Sequence, residues 1–180
     1  MIHEKNPVNQ YRGRRNRAEG KTFEGLIEQS LHYYNASGAA AIHKMPEPMN
    51  PTKSLGGGKF VAFFAKKAMA DYRGTLQGGR AIVFEAKHTV NDRMDFGVVL
   101  EQQRTDLERN HNLGAVCFVL IGFNMTDMYR IPWPIWRDMK EHFGRKYVKP
   151  EELEEYRVPT GQYGTYLILN GIRKDDLTKN

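Results

Sequence analysis

Apolar residues recur along this chain at two periods, and the switches between them mark its elements. From Thr22 to Asn35, the residues Phe23, Leu26, Ile27, Leu31 and Tyr34 follow a helical repeat, which predicts an amphipathic helix ending near Ser37-Gly38. AAAIHKM then reads as a short strand stopped by Pro46, Pro48 and Pro51. The glycine turn Gln77-Gly78-Gly79 separates a strand around Met69 to Leu76 from a second at Arg80 to Lys87. That second strand alternates: Ile82, Phe84 and Ala86 share one face, and Val83, Glu85 and Lys87 share the other. Val98 to Asn112 is predicted as a helix with Leu100 and Leu107 inward and Gln103 on an adjoining face. AVCFVLIGF reads as a buried strand, and MYRIP as an edge strand, since proline cannot donate to a ladder. PIWRDMKEHF is a short helix opened by Pro134, EELEE a solvated helical turn, and TYLILNGI an apolar segment that docks on the core. Helix, strand, hairpin, helix and strand in this order predict a mixed α/β domain on one central sheet.

Residues 46–68, PEPMNPTKSLGGGKFVAFFAKKA, do not fit that scheme. Prolines and three glycines precede an apolar run bracketed by Lys53, Lys59, Lys66 and Lys67. Long connections of this kind are more often functional than idle, so a projecting insertion is expected, with FVAFFA as a core strand the alternative.

Charge narrows the partners. The 180 residues carry a formal net charge of +6 and a pI near 9.4, a balance that favours polyanions. The excess gathers at residues 1–21, where Lys5, Arg12, Arg14, Arg15, Arg17 and Lys21 face only Glu4 and Glu19. This reads as a basic N-terminal arm that orders on meeting phosphate, or otherwise as a solubilising tail, ahead of a single domain at 22–180. No run approaches the roughly 18 apolar residues of a spanning helix, and the N-terminus lacks a signal-peptide apolar region, so a cytoplasmic protein without membrane partner is expected. The single cysteine, Cys117, lies within an apolar run and reads as buried packing. His32, His43, His88 and His111 lack zinc-site spacing, and Gly56-Gly57-Gly58 lacks the rest of a phosphate-binding loop, so neither zinc nor a nucleotide cofactor is expected.

The chemistry centres on Asp71 and on Glu85-Ala86-Lys87, an aspartate opening one strand and a Glu-x-Lys on the strand hairpinned to it. Carboxylates on neighbouring strands suit a hard, oxygen-seeking ion such as Mg²⁺, with Mn²⁺ also accommodated. Lys87, on the face of Glu85, is then placed to orient or deprotonate an attacking water, or to stabilise charge on a phosphorane. The competing interpretation of the same residues is a surface ion pair.

Taken together, the arginine-bearing N-terminus, GKTFEGLIEQSLHYYN, IHKMPEP, the proline and lysine-rich insertion, ADYRG, IVFEAKHT, a Gln-bearing helix and GAVCFVLIGF resemble, in order, the RecU family of Holliday-junction resolvases. The resemblance spans roughly residues 12–143 and is most specific at IHKMPEP and the ADYRG to FEAKHT pair. It implies a restriction-endonuclease-like α/β fold of the PD-(D/E)xK superfamily, with residues 46–68 as a projecting stalk. It implies a magnesium-dependent DNA endonuclease acting as a homodimer on four-way junctions in recombination and repair. Carried onto this chain, the metal carboxylates fall on Asp71 and Glu85, a further metal-site residue on Gln103 and the catalytic lysine on Lys87, while Glu24 resembles a glutamate that the superfamily often sets near the site. Nucleic-acid contacts are expected from Arg12, Arg14, Arg15, Arg17, Lys21, Lys53, Lys59, Lys66, Lys67 and Arg73. Two places before the aspartate, where the family has threonine, this chain has Met69. Another DNA nuclease of the superfamily and a non-catalytic architectural DNA-binding protein stay open as alternatives.

Overall fold

The computed structural model describes residues 7–46, 48–64, 69–124 and 127–172; the side chains of residues 7–17 and of Phe64 lie outside that description. A long helix, α1 (Pro7–Ala36), is followed by β1 (Ala40–Lys44) and by a hairpin of β2 (Met49–Gly56) and β3 (Lys59–Phe64). A second hairpin, β4 (Tyr72–Leu76) and β5 (Ala81–Thr89), leads through the short β6 (Met94–Asp95) to α2 (Glu101–Asn112). Then come β7 (Val116–Phe123), β8 (Asp127–Pro132), the short helices α3 (Trp133–Arg137) and α4 (Met139–Phe143), and β9 (Tyr147–Val148), which pairs with β6.

The central sheet has the order β1-β4-β5-β7-β8, mixed because β5 and β7 run parallel while the other neighbours are antiparallel. A parallel step needs a crossover, and α2 supplies it. One face carries α1, whose Phe23, Ile27, Leu31 and Tyr34 are buried against Ile42, Tyr72, Ile82, Phe84, Phe118 and Leu120. Aromatic register shapes this face: Tyr72, Phe84 and Phe118 pair across β4, β5 and β7 and stack at centroid distances of 4.7 and 4.6 Å. On the other face Val83, Val119 and Ile121 pack with Leu107 of α2 and with Trp133 and Trp136. Gly122 is a close-approach site, since a Cβ there would stand 2.6 Å from the ring of Phe23. The outer edge of β1 is closed by Asn35, whose amide both donates to and accepts from the Ile42 backbone at 2.9 Å, occupying groups that another strand would pair with.

Several expectations change. The first helix begins at Pro7, not Thr22, so the basic segment expected as an arm is helical from Pro7 onward. Proline is accepted at a first helical position, and no other proline intervenes before Pro46. The apolar stripe marks the part of the helix that packs on the sheet, and Ala18, Lys21 and Thr22 just before it are exposed. Leu100, expected inward, is exposed at the start of α2, whereas Gln103 is buried beside Leu107. α2 starts at Glu101, after a 3-10 turn at Phe96–Val98. PIWRDMKEHF forms two short helices divided at Asp138 rather than one, and the first opens at Trp133. EELEE lies in two 3-10 turns with Leu153 buried between them, while Ile168 and Leu169 of TYLILNGI dock on the α1 face as expected. MYRIP lies at the sheet edge, in β8. The described part of FVAFFA, Phe60–Phe64, is a strand, yet not a core strand: it belongs to the separate two-stranded sheet β2–β3, whose described side chains are exposed. Pro51 sits inside β2 beside a register shift, a place where a strand tolerates the missing donor.

Candidate active site

Alternation along β5 sends Glu85 to the face covered by α2, and the site is built around it. Its carboxylate is fully buried. Oε2 accepts the backbone N–H of Asp71 at 3.0 Å, and Oε1 accepts Gln103 Nε2 at 2.6 Å and lies 2.6 Å from Lys87 Nζ. Asp71 answers across the hairpin, its Oδ2 accepting the Ala86 N–H at 3.2 Å. Its carbonyl accepts the Met45 N–H at 2.7 Å, which ties the end of β1 to the same point. The structure thus gathers Asp71, Glu85, Lys87 and Gln103 where β4 and β5 meet α2.

Burial, with the neighbouring charge of Asp71 adding to it, holds the Glu85 carboxyl above the usual carboxylate range, against the opposing pull of Lys87. Asp71 and Glu85 thus bring two carboxylates together, and Lys87 pairs with the buried one, Glu85. The oxygen donors of these two carboxylates suit a hard divalent cation. Gln103 faces Glu85 with its NH₂ group, while its oxygen accepts the Leu100 N–H at 3.0 Å and so helps cap α2. An amide oxygen keeps a second lone pair, which leaves room for a ligand role. Met69, 40% exposed, offers only a soft thioether in the position two before Asp71.

The remaining expected residues are placed unevenly. Glu24, on α1, pairs with Lys44 Nζ at 2.6 Å at the C-terminal end of β1, the end tied to Asp71, where Lys44 stands opposite Tyr72 in the register. Its charge, with that of Asp71, adds to burial in raising the phenol pKa of Tyr72, whose hydroxyl is buried without a hydrogen-bond partner. Arg73 gives Nη2 to Asp106 at 2.5 Å and is not held out toward solvent. Lys53 and Lys59 are exposed on the β2–β3 hairpin, and Lys21 is exposed on α1. Lys66 and Lys67, and the side chains of Arg12, Arg14, Arg15 and Arg17, lie outside the described residues. Cys117 is buried, and burial pushes its thiol up to about 12, as expected for packing rather than chemistry. Among the described residues no helix is long and apolar enough to cross a membrane.

Sequence reading missed Asp106, one turn after Gln103 on α2, which accepts the Ala70 N–H at 2.9 Å. An acidic residue three places after Gln103 and next to the inward Leu107 on an amphipathic helix is the signal that was available.

The family model and the curated relatives agree with one another. A family model described as "Recombination protein U" (RecU) matches residues 18–169. The Holliday junction resolvase RecU of Streptococcus gordonii is 34% identical over 122 residues, covering 64% of this chain and 60% of its own length. That of Pediococcus pentosaceus is 30% identical over 148 residues, covering 76% of this chain and 72% of its own. That of Bacillus subtilis is 31% identical over 154 residues, covering 78% and 71%. The solved structure of Archaeoglobus fulgidus Hjc, a Holliday junction resolvase, overlays on 70% of this chain and 88% of its own with a TM-score of 0.43 at 12% identity, a likeness too low to carry an argument.

Proposed function

This chain belongs to the RecU family, and on that premise we propose that it is a metal-dependent endonuclease that resolves four-way DNA junctions by hydrolysing a phosphodiester in each of two strands. The observation that carries the reading is the convergence on Glu85 of Asp71, Lys87 and Gln103 through contacts of 2.6 to 3.0 Å.

Asp71 and Glu85 would hold Mg²⁺, or Mn²⁺, with Gln103 completing the set. The ion, when bound, supplies polarisation of the scissile phosphate and a water of lowered pKa. Because the Met69 side chain brings no hard oxygen, side-chain ligation of the ion falls more heavily on Asp71 and Glu85. Lys87, held against Glu85, orients the attacking water and neutralises charge as the new water-derived P–O bond forms and the P–O bond to the leaving sugar oxygen breaks. Gln103 keeps Glu85 aimed through its NH₂ group. Glu24, paired with Lys44 at the end of β1 tied to Asp71, stands beside this set without a contact to Glu85 among the described hydrogen bonds.

The β2–β3 hairpin, within residues 46–68, serves as the stalk that enters the junction, with Lys53 and Lys59 on phosphates and Phe60 and Phe63 against opened bases. The basic first turns of α1, with Arg12, Arg14, Arg15, Arg17 and Lys21, bind a flanking arm. A two-fold homodimer would match the symmetry of the junction and set one site on each of two strands. Such a protein acts in the cytoplasm and needs no nucleotide cofactor.

The test is incubation with a labelled four-way junction and a matched linear duplex, with Mg²⁺ or with chelator. Symmetric, metal-dependent nicking of the junction is expected, with Asp71→Asn and Lys87→Ala each lowering the rate about 10²–10⁴-fold while junction binding stays near wild type. Tight binding without cleavage in any divalent metal would instead favour the architectural reading.

A further inference from the structure

Asp71 precedes β4, so the ladder of the sheet does not by itself hold the segment that presents it. Four hydrogen bonds help to hold it. Three have been described: Asp71 N–H to Glu85, Ala86 N–H to Asp71, and Met45 N–H to the Asp71 carbonyl, all made from within the sheet or its ends. The fourth comes from outside it, where Asp106 Oδ2 on α2 accepts the N–H of Ala70, the residue immediately before Asp71, at 2.9 Å.

The same oxygen receives Arg73 Nη2 at 2.5 Å. Asp106 therefore grips the chain on both sides of the Asp71-Tyr72 step with one atom. Its other oxygen, Oδ1, accepts Asn110 Nδ2 at 3.1 Å, and that amide also reaches the Asp106 carbonyl at 2.7 Å, so the carboxylate is held on its own helix as well. Ala70 is fully buried, which makes its N–H costly to leave without an acceptor. The charged partner Arg73 makes this a charge-assisted contact, shorter and stronger than a neutral one.

Gln103 and Asp106 are three apart on α2, so one helix holds both carboxylates of the site: Glu85 through the Gln103 side chain, and Asp71 through the backbone beside it. We propose that Asp106 is a positioning residue for the metal site, setting the distance between Asp71 and Glu85 by clamping the Ala70 amide and Arg73 to α2. This rests on the reading of Asp71 and Glu85 as metal carboxylates. Groups that orient metal ligands from behind typically matter by about 10–100-fold in metal affinity or activity.

The experiment measures Mn²⁺ binding to the DNA-free protein by the electron paramagnetic resonance signal of free Mn²⁺, for wild type, Asp106→Ala, Asp106→Asn and the same-helix control Glu108→Ala. Glu108 holds Trp133 and Arg137, so its removal tests general loosening of α2 without touching the clamp. Asp106→Ala should weaken Mn²⁺ binding about tenfold or more, Asp106→Asn should weaken it less, and Glu108→Ala should leave it unchanged. Hydrogen exchange at the Ala70 amide should quicken in Asp106→Ala, and the cleavage that disappears at low metal should return as metal is raised. Should Asp106→Ala fail to fold, the isosteric Asp106→Asn decides alone. Wild-type Mn²⁺ affinity in any folded Asp106 variant overturns the proposal, as does an equal weakening in Glu108→Ala. No saturable Mn²⁺ binding by the wild-type protein would instead sink the metal-site reading beneath it.

Discussion

The hairpin β2–β3 exposes every residue of its first strand, including Met49 and Leu55, whereas β4–β5 buries four consecutive residues of its second, Ile82 to Glu85. Both are antiparallel pairs closed by glycines, at Gly57-Gly58 and Gly78-Gly79, and both carry aromatic residues and lysines. What separates them is neighbours. β4–β5 is inserted between β1 and β7 with a helix on each face, so its side chains find partners on both sides of the sheet. β2–β3 pairs only with itself and contributes to neither hydrophobic cluster among the described residues. A two-stranded ribbon on its own is marginally stable in water. Phe60, Val61 and Phe63 are all exposed on β3.

That comparison is sharpest when an aromatic residue is removed from each hairpin. Phe84→Ala takes the centre out of the Tyr72–Phe84–Phe118 stack and should cost about 3–5 kcal/mol of stability, measured by denaturant unfolding. Phe63→Ala should change stability by no more than about 0.5 kcal/mol in the same assay, since it is an exposed side chain. Similar destabilisation by the two would mean that β2–β3 packs on the body after all.

For DNA the ranking should reverse. Phe60→Ala with Phe63→Ala is expected to weaken junction binding by about 1–3 kcal/mol for each base that no longer stacks, with linear duplex binding little affected. Deleting Met49–Phe64 across a short linker should leave a folded protein by circular dichroism that no longer prefers junction over duplex. Retained preference after that deletion would remove the stalk role.

Gly122→Ala probes the well-packed region from the other side. The added methyl meets the Phe23 ring, and overpacking of this kind should cost about 1–3 kcal/mol, visible as a lowered unfolding midpoint. The smallest effect is expected on the basic part of α1. Replacing Arg12, Arg14, Arg15 and Arg17 with alanine should leave stability nearly unchanged and flatten the dependence of log binding constant on log salt, by about 0.9 for each duplex phosphate that is no longer neutralised. An unaltered slope would reduce that segment to a solubilising extension.

Much of the site was legible before any fold was known, for a reason that belongs to strands. Side chains alternate with period two, so Glu85 and Lys87 had to share a face, and the short Gln77-Gly78-Gly79 turn had to bring the Asp71 strand alongside. The apolar runs that became β5 and β7 and the stripe of Phe23, Ile27, Leu31 and Tyr34 were readable in the same way, because burial selects residues at the spacing of the element. Tertiary structure alone decided three other matters. Whether Phe60 and Phe63 enter a core depends on which strands lie beside them, and a short apolar run does not state that. Helix α1 extends back to Pro7, ahead of the apolar stripe that the sequence reading followed, and a periodicity of buried positions does not mark backbone that lies outside it. The grip of Asp106 on Ala70 and Arg73 joins residues more than thirty positions apart, at 36 and 33. Local periodicity carries no information about such a contact, because it exists only once α2 has crossed over the sheet.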